Sequence, residues 1–169
     1  METLSKNKED LVITRVFNGP REQVWDAWTD PQIFRTWWGP KGFTSPYCKI
    51  DLQVGGTYLN CMRSPDGKDF WSTGRYLEIV PMKKIVCTDS FADADGNVVP
   101  ATRYGMSPDF PLEMRVTVTF EDDKDGTRMT LRHTGIPVGE MREQTRAGWN
   151  ESFDKLAKAL AKPKVMRAA

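Results

Sequence analysis

The run EMREQTRAGWNESFDKLAKALAK, residues 140–162, carries apolar side chains at Met141, Trp149, Phe153, Leu156 and Leu160, with Ala157 and Ala159 between them. From Trp149 the steps are four, three and four, the recurrence of one helical face. Gly148 is the one interruption. A glycine inside a helix costs about 1 kcal/mol relative to alanine, so it is expected to mark a close approach between this helix and the sheet beneath it. The spacing predicts a long amphipathic helix, residues 140–162, lying across a curved sheet built by everything upstream. The gap between the two is where function is expected.

Working back from that helix, the chain reads as strands. Residues 112–120 and 127–134 alternate cleanly. Met114, Val116, Val118 and Phe120 share one face, and Met129, Leu131 and His133 share another, with charged or hydroxyl residues between. An acidic turn ending in Asp125-Gly126 joins them. Further strands are expected at Leu11–Phe17, 44–54, Thr57–Arg63, Asp69–Val80 and 84–90, separated by Gly55-Gly56, Ser64-Pro65-Asp66-Gly67 and Pro81-Met82-Lys83. Links this short favour antiparallel hairpins.

Two short helices interrupt the series after the first strand. Pro20 is placed to begin one, with Val24, Trp25 and Trp28 on its apolar face. Asp30-Pro31 starts the second, an Asp cap with Pro at the first helical position, which carries Ile33, Phe34, Trp37 and Trp38 and stops at Gly39-Pro40. Residues 91–111 hold three prolines and two glycines and show no sustained period. A segment of that kind is often a lid, a binding loop or an interface.

The whole is α+β, with no alternation of strand and helix that would demand a parallel sheet. One domain is expected over 11–162, with a flexible N-terminus at 1–10 and a tail at 163–169. At 169 residues the chain is long enough to bury roughly 70% of its unfolded surface. Six Trp and eight Phe supply large apolar areas for that core. Twenty-four basic residues balance 23 acidic ones, which argues against nucleic-acid binding by bulk charge. Cys48, Cys61 and Cys87 are odd in number and lack a C-x-x-C spacing, so free thiols in a reducing compartment are expected. No apolar run is long enough for a membrane span, and the polar start lacks a signal-peptide core. The expected location is cytoplasmic.

The words of the sequence go further than its pattern. ITRVFNGPREQVWDAWTDPQIFRTWWGPKGF (13–43), GGTY (55–58), SPDG (64–67) and GRYLEIVP (74–81) closely resemble START-like domains of the activator of heat-shock protein 90 ATPase homologue family. YGMSPDFPLEMRVTVTF (104–120), GTRMTLRHTG (126–135) and GWNESFDKL (148–156) extend the resemblance over nearly the whole chain. It implies the helix-grip fold, a curved antiparallel sheet of about six to seven strands wrapped around the C-terminal helix, with a cavity between them. It also implies a choice of activities, because such folds host many. Relatives in the superfamily bind lipids, sterols or polyketides, or act as cyclases or hydratases within the cavity. The family is named for a domain of a co-chaperone that stimulates the chaperone's ATPase, and that co-chaperone has a second, chaperone-binding domain, which is not expected within these 169 residues.

Chemistry-bearing residues are few. His133 is the only histidine; it is read either as a packed core histidine or as a ligand contact and weak acid–base candidate, with a carboxylate such as Glu78 as its partner. The acidic turns at 93–96 and 123–126 fail the ligand spacing of a calcium loop and read as plain turns. No zinc spacing and no phosphate-binding glycine loop is present, so neither metal nor cofactor is expected. The aromatic residues either fill a core or line a pocket. Trp28, Trp37, Tyr58, Met62, Trp71, Tyr76, Met114, Met129, His133, Trp149 and Phe153 are the candidate ligand-binding set. The Trp37-Trp38-Gly39-Pro40 turn is expected near the pocket mouth, with one tryptophan partly exposed. The first expectation is a small hydrophobic or aromatic ligand. Chaperone ATPase stimulation and a cyclase- or hydratase-like reaction are the alternatives, and a homodimer through 91–111 is a possible partner arrangement.

Overall fold

Alternation along the two longest apolar strands sets the inner face of the sheet. Met114, Val116, Val118 and Phe120 are all buried, as are Met129, Leu131 and His133 on the neighbouring strand. The computed structural model describes residues 10–161; the flexible start and tail expected from the sequence lie, for residues 1–9 and 162–169, outside them. Seven strands form one antiparallel sheet: β1 (Leu11–Phe17), β2 (Thr44–Ile50), β3 (Thr57–Arg63), β4 (Asp69–Val80), β5 (Lys84–Ala92), β6 (Met114–Asp123) and β7 (Gly126–Thr134). Their order is β1-β7-β6-β5-β4-β3-β2, so a meander from β2 to β7 is completed by β1. The sheet curls into a half-barrel around the long helix α3 (Glu140–Leu160), which is the helix-grip arrangement.

Helices α1 (Arg21–Thr29) and α2 (Pro31–Phe34) follow β1. Pro20 is the cap of α1 rather than its first residue. Asp30 caps α2, its Oδ1 accepting from the Gln32 N–H at 2.9 Å. This helix is a single turn and ends at Phe34, so Trp37 and Trp38 lie in the turn beyond it. Trp37 is fully buried and donates its indole N–H to the Ala27 carbonyl at 2.9 Å, while Trp38 is half-buried. That division follows from two adjacent side chains having to diverge. The core below joins Trp28, Trp37, Phe17, Phe153 and Leu156 with the inner faces of β1, β6 and β7.

Two sequence expectations need correction. The second strand stops at Ile50 instead of reaching residue 54, and Leu52 and Val54 are exposed. The turn that follows needs glycine, since a Cβ on Gly56 would lie 2.2 Å from the Asp51 carbonyl oxygen. Residues 91–111 are not a structureless loop. Strand β5 runs on to Ala92, which bridges to Val98, and Ala101–Tyr104 forms one 3-10 turn. Ala101, Phe110, Met114 and Ile136 then make a second small core, with Phe91, Met106 and Met141 packed against it. The Tyr104 hydroxyl donates to the Ala92 carbonyl and accepts from the Trp71 N–H, which ties the segment to β4 and β5. Among the described residues no helix is long and apolar enough to cross a membrane.

Candidate functional site

Where α3 diverges from the sheet it leaves a cavity of about 340 Å³. Its helix wall is Met141, Gln144, Thr145, Gly148, Trp149 and Ser152, residues spaced by three and four on one face. Strands β3 to β7 supply Met62, Phe70, Trp71, Asp89, Phe91, Met114 and His133, and the second small core contributes Met106, Phe110 and Ile136. Trp38, Gly39, Pro40 and Phe43 close another side. A smaller space of about 50 Å³ lies deeper, between Trp28, Tyr58, Asn60, Tyr76 and Cys87, and shares Trp38, Asp89 and Trp149 with the larger one.

The candidate residues divide among three places. Met62, Trp71, Met114, His133 and Trp149 line the larger cavity. Trp28, Tyr58, Tyr76 and, again, Trp149 line the smaller space. Trp37, Met129 and Phe153 are fully buried in the core and line neither. Each of those three makes a core contact that accounts for it. Met129 Sδ receives the Trp28 indole N–H at 3.2 Å, and Phe153 meets the Phe17 ring edge-on at 6.3 Å.

Gly148 also has a different neighbour from the one its place in the sequence suggests. A Cβ there would meet Pro40 Cγ at 3.6 Å, an ordinary contact, and no sheet atom within 4 Å. The glycine faces the cavity and the 39–43 loop. That loop is held by the helix: Lys155 donates to the carbonyls of Pro40 and Phe43 at 3.3 and 3.2 Å, and Glu151 accepts from the Lys41 N–H at 3.0 Å. Burial pulls the Lys155 ammonium below its ordinary range, an effect that neighbouring Glu151 opposes.

One polar chain crosses the cavity floor. The Trp149 indole N–H donates to His133 Nδ1 at 3.1 Å. With Nδ1 accepting, the neutral ring carries its proton on Nε2. That nitrogen is 3.1 Å from Asp89 Oδ2, yet its N–H points off the line to the oxygen and finds no well-aligned acceptor. The other Asp89 oxygen, Oδ1, is 3.2 Å from the Tyr58 hydroxyl, which is also 2.9 Å from the Thr88 carbonyl. Tyr58 reaches that position because its ring lies over Gly74, where a Cβ would come within 2.5 Å of it. Burial, and then the Asp89 carboxylate, push the Tyr58 phenol well above its ordinary range, so it stays a donor.

This arrangement decides what each group can do. Neither nitrogen of His133 is a free base, since one accepts from Trp149 and the other bears the proton facing Asp89. Glu78, the carboxylate considered as its partner, sits on the exposed side of β4 and pairs with Lys84 at 3.3 Å. Asp89 takes the place expected for Glu78, and reading single residues of the sequence missed it. A signal was there: Ile85, Cys87, Asp89 and Phe91 share one strand face, which puts an acid among apolar neighbours. The thiols offer no nucleophile. Burial pushes Cys87 and Cys48 up to about 12, with Asp89 adding to the shift at Cys87. The acidic turns are turns: Asp93 Oδ1 accepts from the Asp95 and Asn97 amides at 2.9 Å, and Asp123 pairs with Arg128 at 2.9 Å.

Residues 18–161 match the family model described as Activator of Hsp90 ATPase homolog 1-like protein. A solved protein from Chromobacterium violaceum is 30% identical, over 91% of this chain and 98% of that one, with a TM-score of 0.73. The AHSA1 protein from Silicibacter pomeroyi is 25% identical over 90% and 98%, with a TM-score of 0.72. A protein from Nitrosomonas europaea, 24% identical over 95% and 97%, shares the fold with a TM-score of 0.74. No curated protein matches the chain in sequence.

Proposed function

The chain belongs to the Activator of Hsp90 ATPase homolog 1-like family, and on that premise we propose that it binds a small hydrophobic or aromatic ligand in the cavity between sheet and α3. The observation that carries this reading is the cavity itself. Its volume of about 340 Å³ falls within the range of small-molecule sites, and tryptophan, phenylalanine and methionine side chains make up about half of its lining, with polar groups on both the sheet and the helix. Methionines at 62, 106, 114 and 141 suit a pocket that adapts to the shape of its occupant.

Trp38, Trp71 and Trp149 line the cavity and report on it directly. Titration with naphthol is expected to shift or quench tryptophan emission with saturation. Thr145→Trp, which places an indole in the space from the helix side, is expected to weaken binding by tenfold or more, on the order of the loss that goes with a blocked apolar site. Linear, unsaturable quenching unaffected by Thr145→Trp removes the reading. Native mass spectrometry of freshly purified protein shows a retained ligand as added mass. The same spectrum counts subunits, which tests the homodimer expected through residues 91–111.

The family's description supports a second reading, stimulation of a heat-shock chaperone ATPase. A chaperone ATPase assay with the purified chain, paired with a pull-down, tests it. An unchanged rate with no complex removes it.

A further inference from the structure

We infer that the cavity selects an organic cation, an amine or quaternary ammonium on an aromatic or aliphatic body, with the charged nitrogen seated against Asp89. This rests on the ligand-binding reading above and names the class of ligand. Among the described residues lining the cavity, Asp89 is the one carboxylate, and no lysine or arginine joins it. The ion pairs made by Lys and Arg elsewhere go to other acids, such as Arg15 to Asp154 and Arg63 to Asp69. The ring facing Asp89 is His133, whose Nδ1 accepts the hydrogen bond from Trp149.

The Asp89 carboxylate is therefore poorly served by the protein. The single Tyr58 proton is divided between Oδ1 and the Thr88 carbonyl, and the His133 N–H is misaligned toward Oδ2. Its side chain keeps 20% exposure, so a ligand can reach it. Charge that is under-compensated in apolar surroundings is costly, and an arriving cation relieves that cost where a hydrocarbon does not. The rings of Trp38, Phe70, Trp71, Phe91 and Trp149 line the same space, and an aromatic ring attracts a cation that meets its face. An anionic ligand meets the Asp89 carboxylate and is disfavoured. Selectivity thus comes from one attraction and one repulsion acting at a single residue.

The test compares three probes that share one body: phenylbutylamine, phenylbutanol and phenylbutanoate, titrated calorimetrically at neutral pH. The amine is expected to bind about tenfold more tightly than the alcohol, as a hydrogen bond to a charged group predicts. The carboxylate probe is expected to bind most weakly. Asp89→Asn is expected to bring the amine down to the alcohol's affinity, Asp89→Glu to retain the preference, and Thr145→Trp to weaken all three. Circular dichroism establishes that the variants fold, and the three-probe comparison on the unaltered protein stands without them. Equal affinity for amine and alcohol overturns charge selection and leaves the cavity reading in place, as does an amine preference that survives Asp89→Asn in folded protein. Absence of binding by all three removes the reading beneath it as well.

Discussion

His133 carries an unusual amount of information for one residue, because it is the only histidine in the chain. Its ring nitrogens give one resolvable pair of signals, and the Trp149 hydrogen bond predicts the tautomer protonated at Nε2. Nitrogen-15 NMR of labelled protein at neutral pH checks this directly. A proton found on Nδ1 removes the Trp149 bond and the assignment built on it. Trp149→Phe deletes the donor and replaces the indole with a smaller ring, and it is expected to cost about 1–3 kcal/mol or more by leaving a buried acceptor unmade and packing volume lost. Urea denaturation measures that loss. At Gly148 the expectation runs the other way. A methyl there meets only Pro40 at ordinary contact distance, so Gly148→Ala is expected to stabilise the protein by about 0.5–1 kcal/mol through helix propensity. A destabilised variant would mean that the helix passes something closer than Pro40.

At the scale of elements, α3 does two jobs from two different faces. Trp149, Phe153 and Leu156 bury into the core, while Glu151 and Lys155 hold the 39–43 loop against the cavity. The second job rests on hydrogen bonds at half-exposed positions, so it contributes little to global stability and much to local order. Glu151→Ala is expected to speed hydrogen exchange at the Lys41 amide while shifting the unfolding midpoint only slightly. Unchanged exchange there would show that the loop is held by other contacts. Strands β3 and β4 show the opposite balance. The Tyr58 ring occupies the place of a side chain at Gly74, and Gly74→Ala is expected to cost about 1–3 kcal/mol or more by overpacking, read as a lowered thermal midpoint.

For the molecule as a whole, the buried acids with raised pKa values set a stability limit on the alkaline side. Cys48 and Cys87 move from 9.0 to about 12, and burial also raises Tyr58 and Tyr76 above 10.0. A group whose folded pKa lies above its unfolded one contributes stability that is whole below the unfolded value and is lost as pH rises toward the folded one. Stability is therefore expected to hold up to about pH 9 and then fall as pH rises toward 12. Urea midpoints measured between neutral pH and pH about 10.5 follow this, and Cys87→Val should flatten the slope. A midpoint constant over that range would contradict the protonated, buried state of these groups.

The sequence by itself determined the order and kind of the elements, since that information is local. Period-two alternation named the inner faces of β6 and β7, the Asp30-Pro31 cap placed α2, and the steps from Trp149 placed α3. The words between 13 and 156 identified the family for the same reason: they are contiguous. What only the tertiary structure decided was which aromatic residues fill the core and which surround empty space. Trp37 and Trp71 look alike in sequence, yet one is fully buried against Ala27 and the other lines the cavity. Asp89 lay unremarked in KIVCTDS because an acid on a strand gains meaning only from what faces it. Its neighbours there, His133 and Tyr58, come from residues 44 positions later and 31 earlier in the chain, brought together by the curl of the sheet. A cavity is the place where side chains from distant strands fail to meet, and no local pattern records that absence.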